Sequence, residues 1–182
     1  MAVPKISVDE MESKYVAREA TSHGSDLAFL DQRLPGFQRE IINMIGMGVT
    51  ENTEDPSLVP KISTPAHGFA VTYNRATKGN GAALHAHLTE EVFVPLRGSW
   101  QIYWLEGEDE RSVILDPGDI VNMPTGIYRG FRCASEEPDA LLIGITGGPD
   151  AGNVVWHPSI VEAARGTGLE VDNDGNLREI ER

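Results

Sequence analysis

The chain has 182 residues, 40% of them apolar and 24% charged, a composition suited to a single domain that buries a core of its own. Its 15 lysines and arginines stand against 28 acidic residues, a formal net charge of −13, which repels phosphate backbones and anionic headgroups and excludes nucleic acid and membrane surfaces as partners. The lone Cys133 can form no internal disulfide, the N-terminus lacks the apolar stretch of a signal peptide, and no run reaches the ~18 apolar residues of a membrane span, so a cytoplasmic location is expected.

In chain order, Val8, Met11, Tyr15, Val16 and Ala20 recur at helical spacing behind Ser7, predicting a short helix that the SHGSD stretch ends. EIINMIGMG, from Glu40, reads as a buried strand, followed by a loop that three prolines interrupt. GFAVTYNR is a strand with Phe69, Val71 and Tyr73 on one face. EVFVPLRG and SWQIYWLEG form two antiparallel strands about Gly98, with GEDER as a second, acidic turn. SVILDPGD, IVNMPTG, IYRGFRC and DALLIGITG are short apolar segments between Gly- and Pro-rich turns, and this spacing argues for an antiparallel sandwich or barrel. After GGPDAGN, Pro158 opens and Gly166 closes a short C-terminal helix.

Unusual chemistry is concentrated in one block. Residues 67–98 carry three basic side chains, Arg75, Lys78 and Arg97, against two acids, Glu90 and Glu91, and hold three of the five histidines. His85 and His87 are two residues apart, so on a strand both imidazoles leave one face, and Glu91 can swing its carboxylate to the same point. Two imidazoles and a carboxylate with open positions suit a redox-capable divalent metal. Surface exposure is the alternative for a His-x-His pair taken by itself. Glu90 falls on the opposite strand face and is expected in solvent, as is His67 in its proline-rich loop. Trp100, Tyr103 and Trp104 read as core or dimer-face residues, Cys133 as a small apolar residue near a strand end, and Trp156 and His157 as a lid over a pocket.

The block resembles the first signature of the cupin superfamily, a glycine, five residues, His-x-His, three or four residues, Glu, six residues and a glycine, here Gly79, His85, His87, Glu91 and Gly98. Gly118, Pro124 and Gly126 match the second signature, and Ser99 to Pro117 has the length cupins place between the two. The resemblance covers residues 66–148. It implies an all-β jelly-roll barrel or sandwich over residues 36–155, with an N-terminal arm and short helix in 1–35 and a C-terminal helix and tail in 156–182. The chain departs from the pattern at Arg129, where cupins usually have the histidine that is their fourth ligand, and at Cys133, where they have asparagine. A guanidinium donates without accepting and ligates no metal. Either Arg129 faces the pocket and clamps a substrate carboxylate or phenolate, or its strand is displaced by one residue, Tyr128 points inward and Arg129 pairs with an acid outside.

By resemblance, the expected function is that of a metal-dependent enzyme similar to quercetinase-like dioxygenases. It would act on a small oxygen-chelating substrate, phenolic or carboxylate and possibly anionic. His85, His87 and Glu91 are the expected ligands of a divalent ion, Fe(II) first and Mn, Ni, Cu or Zn after it, with Glu91 and Arg129 catalytic. Lyase, isomerase or cyclase chemistry shares this ligand set. The rival from another class is a non-catalytic small-molecule-binding cupin. Apolar EIINMIGMG and SWQIYWL suggest a homodimer.

Overall fold

The computed structural model describes residues 5–63, 67–148 and 153–180. The last part of the proline-interrupted loop and most of the GGPDAGN turn lie outside these residues, as do the chain termini. Helix α1 (Val8–Tyr15) starts where predicted, with the Ser7 hydroxyl accepting from the Glu10 amide at 3.1 Å. It stops at Tyr15 instead of continuing to Ala20, because none of its residues is buried and a short helix without packing is marginal.

The strands are β1 (Glu40–Ile45), β2 (Phe69–Arg75), β3 (Gly81–Ala86), β4 (Glu91–Arg97), β5 (Trp100–Glu106) and β6 (Asp109–Leu115), then β7 (Val121–Met123), β8 (Arg129–Cys133), β9 (Leu141–Gly147) and β10 (Val155–Trp156). They build two antiparallel five-stranded sheets, ordered β1-β2-β9-β4-β7 and β10-β3-β8-β5-β6. This is the expected all-β jelly-roll sandwich. Helix α2 (Pro158–Arg165) follows with Pro158 in its first turn, as predicted. A final hairpin of β11 (Leu169–Val171) and β12 (Leu177–Glu179) goes beyond the sequence-based expectation, although the Asp-Gly pair at 174–175 is a turn signal.

Between the sheets Phe93, Trp100, Ile102, Phe131, Cys133 and Leu142 form the main core, with Trp104 packed against it. Trp100, Tyr103 and Ile102 are therefore interior residues of the chain itself, and so are Ile41 to Met44 of β1. Much of the two segments expected to mediate dimerisation is spent on this interior, with Gln101, Trp104 and Leu105 half-buried. Phe69, Val71 and Tyr73 do share a face of β2, but it is the outer one: Ala70 and Asn74 are the buried residues, and Thr72 and Asn74 face a cavity between the sheets.

Much of the expected N-terminal arm is part of the body. Ala28 and Leu30 are buried, Leu30 in a cluster with Ala164 and Leu169. The Glu51 carboxylate holds this segment by accepting from the Leu30 amide at 2.8 Å and from Trp156 Nε1 at 2.6 Å. In this way the arm, the Pro-rich loop and the C-terminal segment close one end of the sandwich.

Candidate metal centre

His85 sits near the end of β3, His87 just beyond it, and Glu91 opens β4. The i, i+2 spacing puts both imidazoles on the inner face, with ring centroids 5.1 Å apart, and the short turn returns Glu91 to them. All three are buried, and one donor atom from each lies within 4.8 Å of the others, as the spacing predicted.

The histidines are oriented by main chain. His85 Nδ1–H donates to the Ala83 carbonyl at 2.7 Å and His87 Nδ1–H to the Asn153 carbonyl at 2.8 Å. A carbonyl only accepts, so each Nε2 is left with its lone pair free, the arrangement found in metal-ligating histidines. Burial, with the neighbouring His87 and Arg129 adding to it, holds the His85 pKa well below its ordinary 6.5. Burial also lowers that of His87, against the opposing pull of Glu91. Both shifts favour the neutral rings that can ligate.

Arg129 is the cross-strand partner of His85 and shares its inner face. It is fully buried, and Nε and Nη2 donate to Glu91 Oε2 at 3.0 and 2.8 Å, while Nη1 donates to the Ile127 carbonyl at 3.2 Å. Its strand is not displaced. Tyr128 lies outside, edge-on to His157 at 4.9 Å. Arg129 does not line the cavity, so the expectation that it clamps substrate is replaced: it positions Glu91 and occupies one carboxylate oxygen. Oε1, 3.6 Å from His87 Nε2, is left for a ligand.

The cavity over these residues measures about 50 Å³ and is walled by apolar Phe29, Ile41, Val49, Phe93 and Trp156. Trp156 of β10 pairs with His85 of β3 and lies 5.7 Å from its ring, which fits the lid reading, whereas His157 instead caps α2 by accepting from the Ser159 amide at 3.3 Å. Glu90 is exposed, as expected. His67 is half-buried against Phe69, its ring 5.5 Å away. Sequence reasoning missed Arg39 and Asn74, which also line the cavity. Nothing in their sequence context marks them, since burial of an arginine is decided by what folds over it.

The motif glycines Gly79, Gly98, Gly118 and Gly126 all have positive φ. At Gly98, φ +68°, a Cβ would also meet Ser135 Oγ at 2.4 Å, so the tight turn between β4 and β5 needs glycine twice over. No family model and no curated protein matches the sequence. Among solved structures, an oxalate oxidase in complex with the substrate analogue glycolate superposes with a TM-score of 0.53 at 14% identity, over 79% of this chain and 63% of that one. The chain has the cupin fold. Other cupin-like structures resemble it more loosely. A Klebsiella pneumoniae protein with a double-stranded β-helix domain gives a TM-score of 0.41 at 20% identity, over 47% of this chain and 67% of its own. The DMSP lyase DddQ from Ruegeria pomeroyi gives 0.47 at 20% identity over 65% of this chain, which spans about half, 51%, of the lyase chain.

Proposed function

We propose that this cupin is a metal-dependent dioxygenase acting on a small oxygen-chelating molecule. The observation that carries the reading is the donor set: two imidazoles whose Nδ1 atoms are tied to main-chain carbonyls, and one carboxylate oxygen, converge in a buried site. Two histidines and one carboxylate with open positions are the ligand set of non-haem Fe(II) oxygenases. His85 Nε2, His87 Nε2 and Glu91 Oε1 would hold the ion, and the ion would supply a Lewis-acidic, redox-active centre with room for a chelating substrate and O₂.

The protein's own part is orientation and exclusion of water. Arg129 fixes the Glu91 carboxylate through Oε2. Phe93, Phe131 and Trp156 keep the surroundings apolar, which strengthens each polar contact made inside. The apolar walls and the few polar groups between them, Arg39, Asn74, His85, His87 and Glu91, suit a small, oxygen-bearing molecule. Free, buried Cys133 is in keeping with a reducing, cytoplasmic setting.

The test is oxygen uptake by Fe(II)-loaded protein offered small hydroxy- and oxo-carboxylates and catechols, with His85→Ala as the control. Uptake that depends on substrate and is lost in the variant supports the reading. Turnover without oxygen uptake reassigns the reaction to a lyase, isomerase or cyclase, and binding without turnover to a non-catalytic cupin.

A further inference from the structure

Beside the histidines the cavity contains a second charged group. Arg39 immediately precedes β1 and, two residues from the cavity-lining Ile41, lines the same space, although its side chain is only 3% exposed. One end of its guanidinium is fully engaged: Nη1 lies 3.0 Å from Asp31 Oδ2, 3.0 Å from the Phe37 carbonyl and 2.7 Å from the Gly81 carbonyl. The other edge is unpaired. Nε is buried with no partner, and Nη2 makes no hydrogen bond to a described residue.

An unpaired buried N–H of a cation costs free energy unless something accepts from it. The Nε–Nη2 edge presents two parallel N–H groups at the spacing of a carboxylate's two oxygens. Phe29 and Phe131 flank the guanidinium carbon at 5.7 and 5.8 Å to their ring centroids, so its surroundings are apolar as well as short of acceptors. Asn74, buried and lining the cavity, likewise makes no side-chain hydrogen bond to a described residue. Charge balance points the same way. Asp31 neutralises Arg39 through Nη1, and Glu91 neutralises Arg129, so a divalent ion on the two imidazoles and Glu91 would leave the cavity positively charged.

We infer that Arg39 is the anion receptor of this cavity, its Nε–Nη2 edge binding the carboxylate of a small substrate whose other end reaches toward His85, His87 and Glu91. The inference rests on the reading of that site as the reacting centre and narrows its substrate class from oxygen chelators in general to small carboxylates. It also moves the clamp from Arg129 on β8 to Arg39 at the start of β1.

The experiment is calorimetric titration of propionate and of its neutral analogue propionamide into the protein as purified and after chelation of metal, for the wild type, Arg39→Gln and Arg39→Lys. Wild-type protein binds propionate in preference to propionamide with or without metal. Arg39→Gln lowers propionate affinity roughly ten- to a hundredfold, the range for a lost charge-assisted pair, and leaves metal content unchanged. Arg39→Lys retains the charge without the fork and falls between. Equal binding of acid and amide by the wild type overturns the inference, whatever becomes of the variants. So does wild-type propionate affinity in a folded Arg39→Lys protein, and if metal is bound there the metal-centre reading survives alone. Propionate binding that depends on Arg39 in a protein that takes up no metal has the opposite meaning: the receptor stands and the metal reading fails.

Discussion

Arg129 donates twice to a single oxygen of Glu91, from Nε at 3.0 Å and Nη2 at 2.8 Å, in a site where the arginine side chain is 0% and the glutamate side chain 9% exposed. At the position where cupins usually have a fourth ligand, this chain has instead a cation that steers one of the three candidate ligands. The arrangement ties metal binding to folding, because either partner left alone would be a buried, unpaired charge.

Replacing Arg129 with Met is therefore expected to destabilise the metal-free protein by about 3 to 5 kcal/mol. A divalent ion at Glu91 restores part of the loss, and adding Glu91→Gln to the same chain restores more than the single effects would sum to. Urea unfolding of the four proteins with and without metal measures this. A loss under ~1 kcal/mol would mean that the pair carries no more than a surface ion pair does.

The purified, metal-replete protein is expected to contain one divalent ion per chain. His87→Ala removes an imidazole whose orientation is fixed through Asn153 and leaves two ligands, so most of the metal is lost. Elemental analysis of both proteins decides it; equal metal in the two would place the ion elsewhere.

Glu51 gives stability a pH dependence. Burial pushes its carboxyl up to about 7, with Asp31 adding to the rise, against hydrogen bonds from Trp156 and the Leu30 amide and the charge of Arg39. Because the folded pKa lies above the unfolded one, the protonated fold is favoured below about pH 4.5, and that contribution is lost as pH rises through about 7. The loss amounts to about 3 kcal/mol. Denaturant titrations at pH 5, 6, 7 and 8 should show stability falling, with a shallower fall in Glu51→Gln. Parallel slopes would show that Glu51 does not titrate in this range.

A homodimer is expected to form through a different surface from EIINMIGMG and SWQIYWL, whose side chains Ile41, Ile42, Met44, Trp100, Ile102 and Tyr103 are buried. The outer face of the first sheet pairs Tyr73 with Ile143, Val71 and Val92 with Ile145, and Val94 with Ile143, all half-buried side chains. Val8, Met11 and Tyr15 of α1 are exposed as well. A second copy is the partner that covers such a face most simply. Sedimentation should give twice the 19.8 kDa chain mass, and Val94→Glu with Ile143→Glu should halve it. A wild-type monomer at micromolar concentration would refute the assignment.

The amino-acid sequence by itself determined most strands of the sandwich, its turns and the His85–His87–Glu91 cluster, because each rests on short-range rules. Alternation in SWQIYWL, glycines where φ must be positive, and two histidines one residue apart leave few options locally. Which face of a strand is inside is a longer-range matter. GFAVTYNR presents its large apolar residues outward and its small and polar Ala70, Thr72 and Asn74 inward, since the cavity between the sheets sets that choice and local hydrophobicity does not. The two arginines show the same limit. Arg129 and Arg39 carry the same charge in sequence, yet β8 brings one against Glu91, while Asp31 and the Gly81 carbonyl of β3 hold one end of the other and leave its Nε without a partner. Glu91 is far from Arg129 along the chain, as Gly81 is from Arg39, and such partners meet through packing alone. Only the tertiary structure decided which cation holds the Glu91 carboxylate and which one lines the cavity.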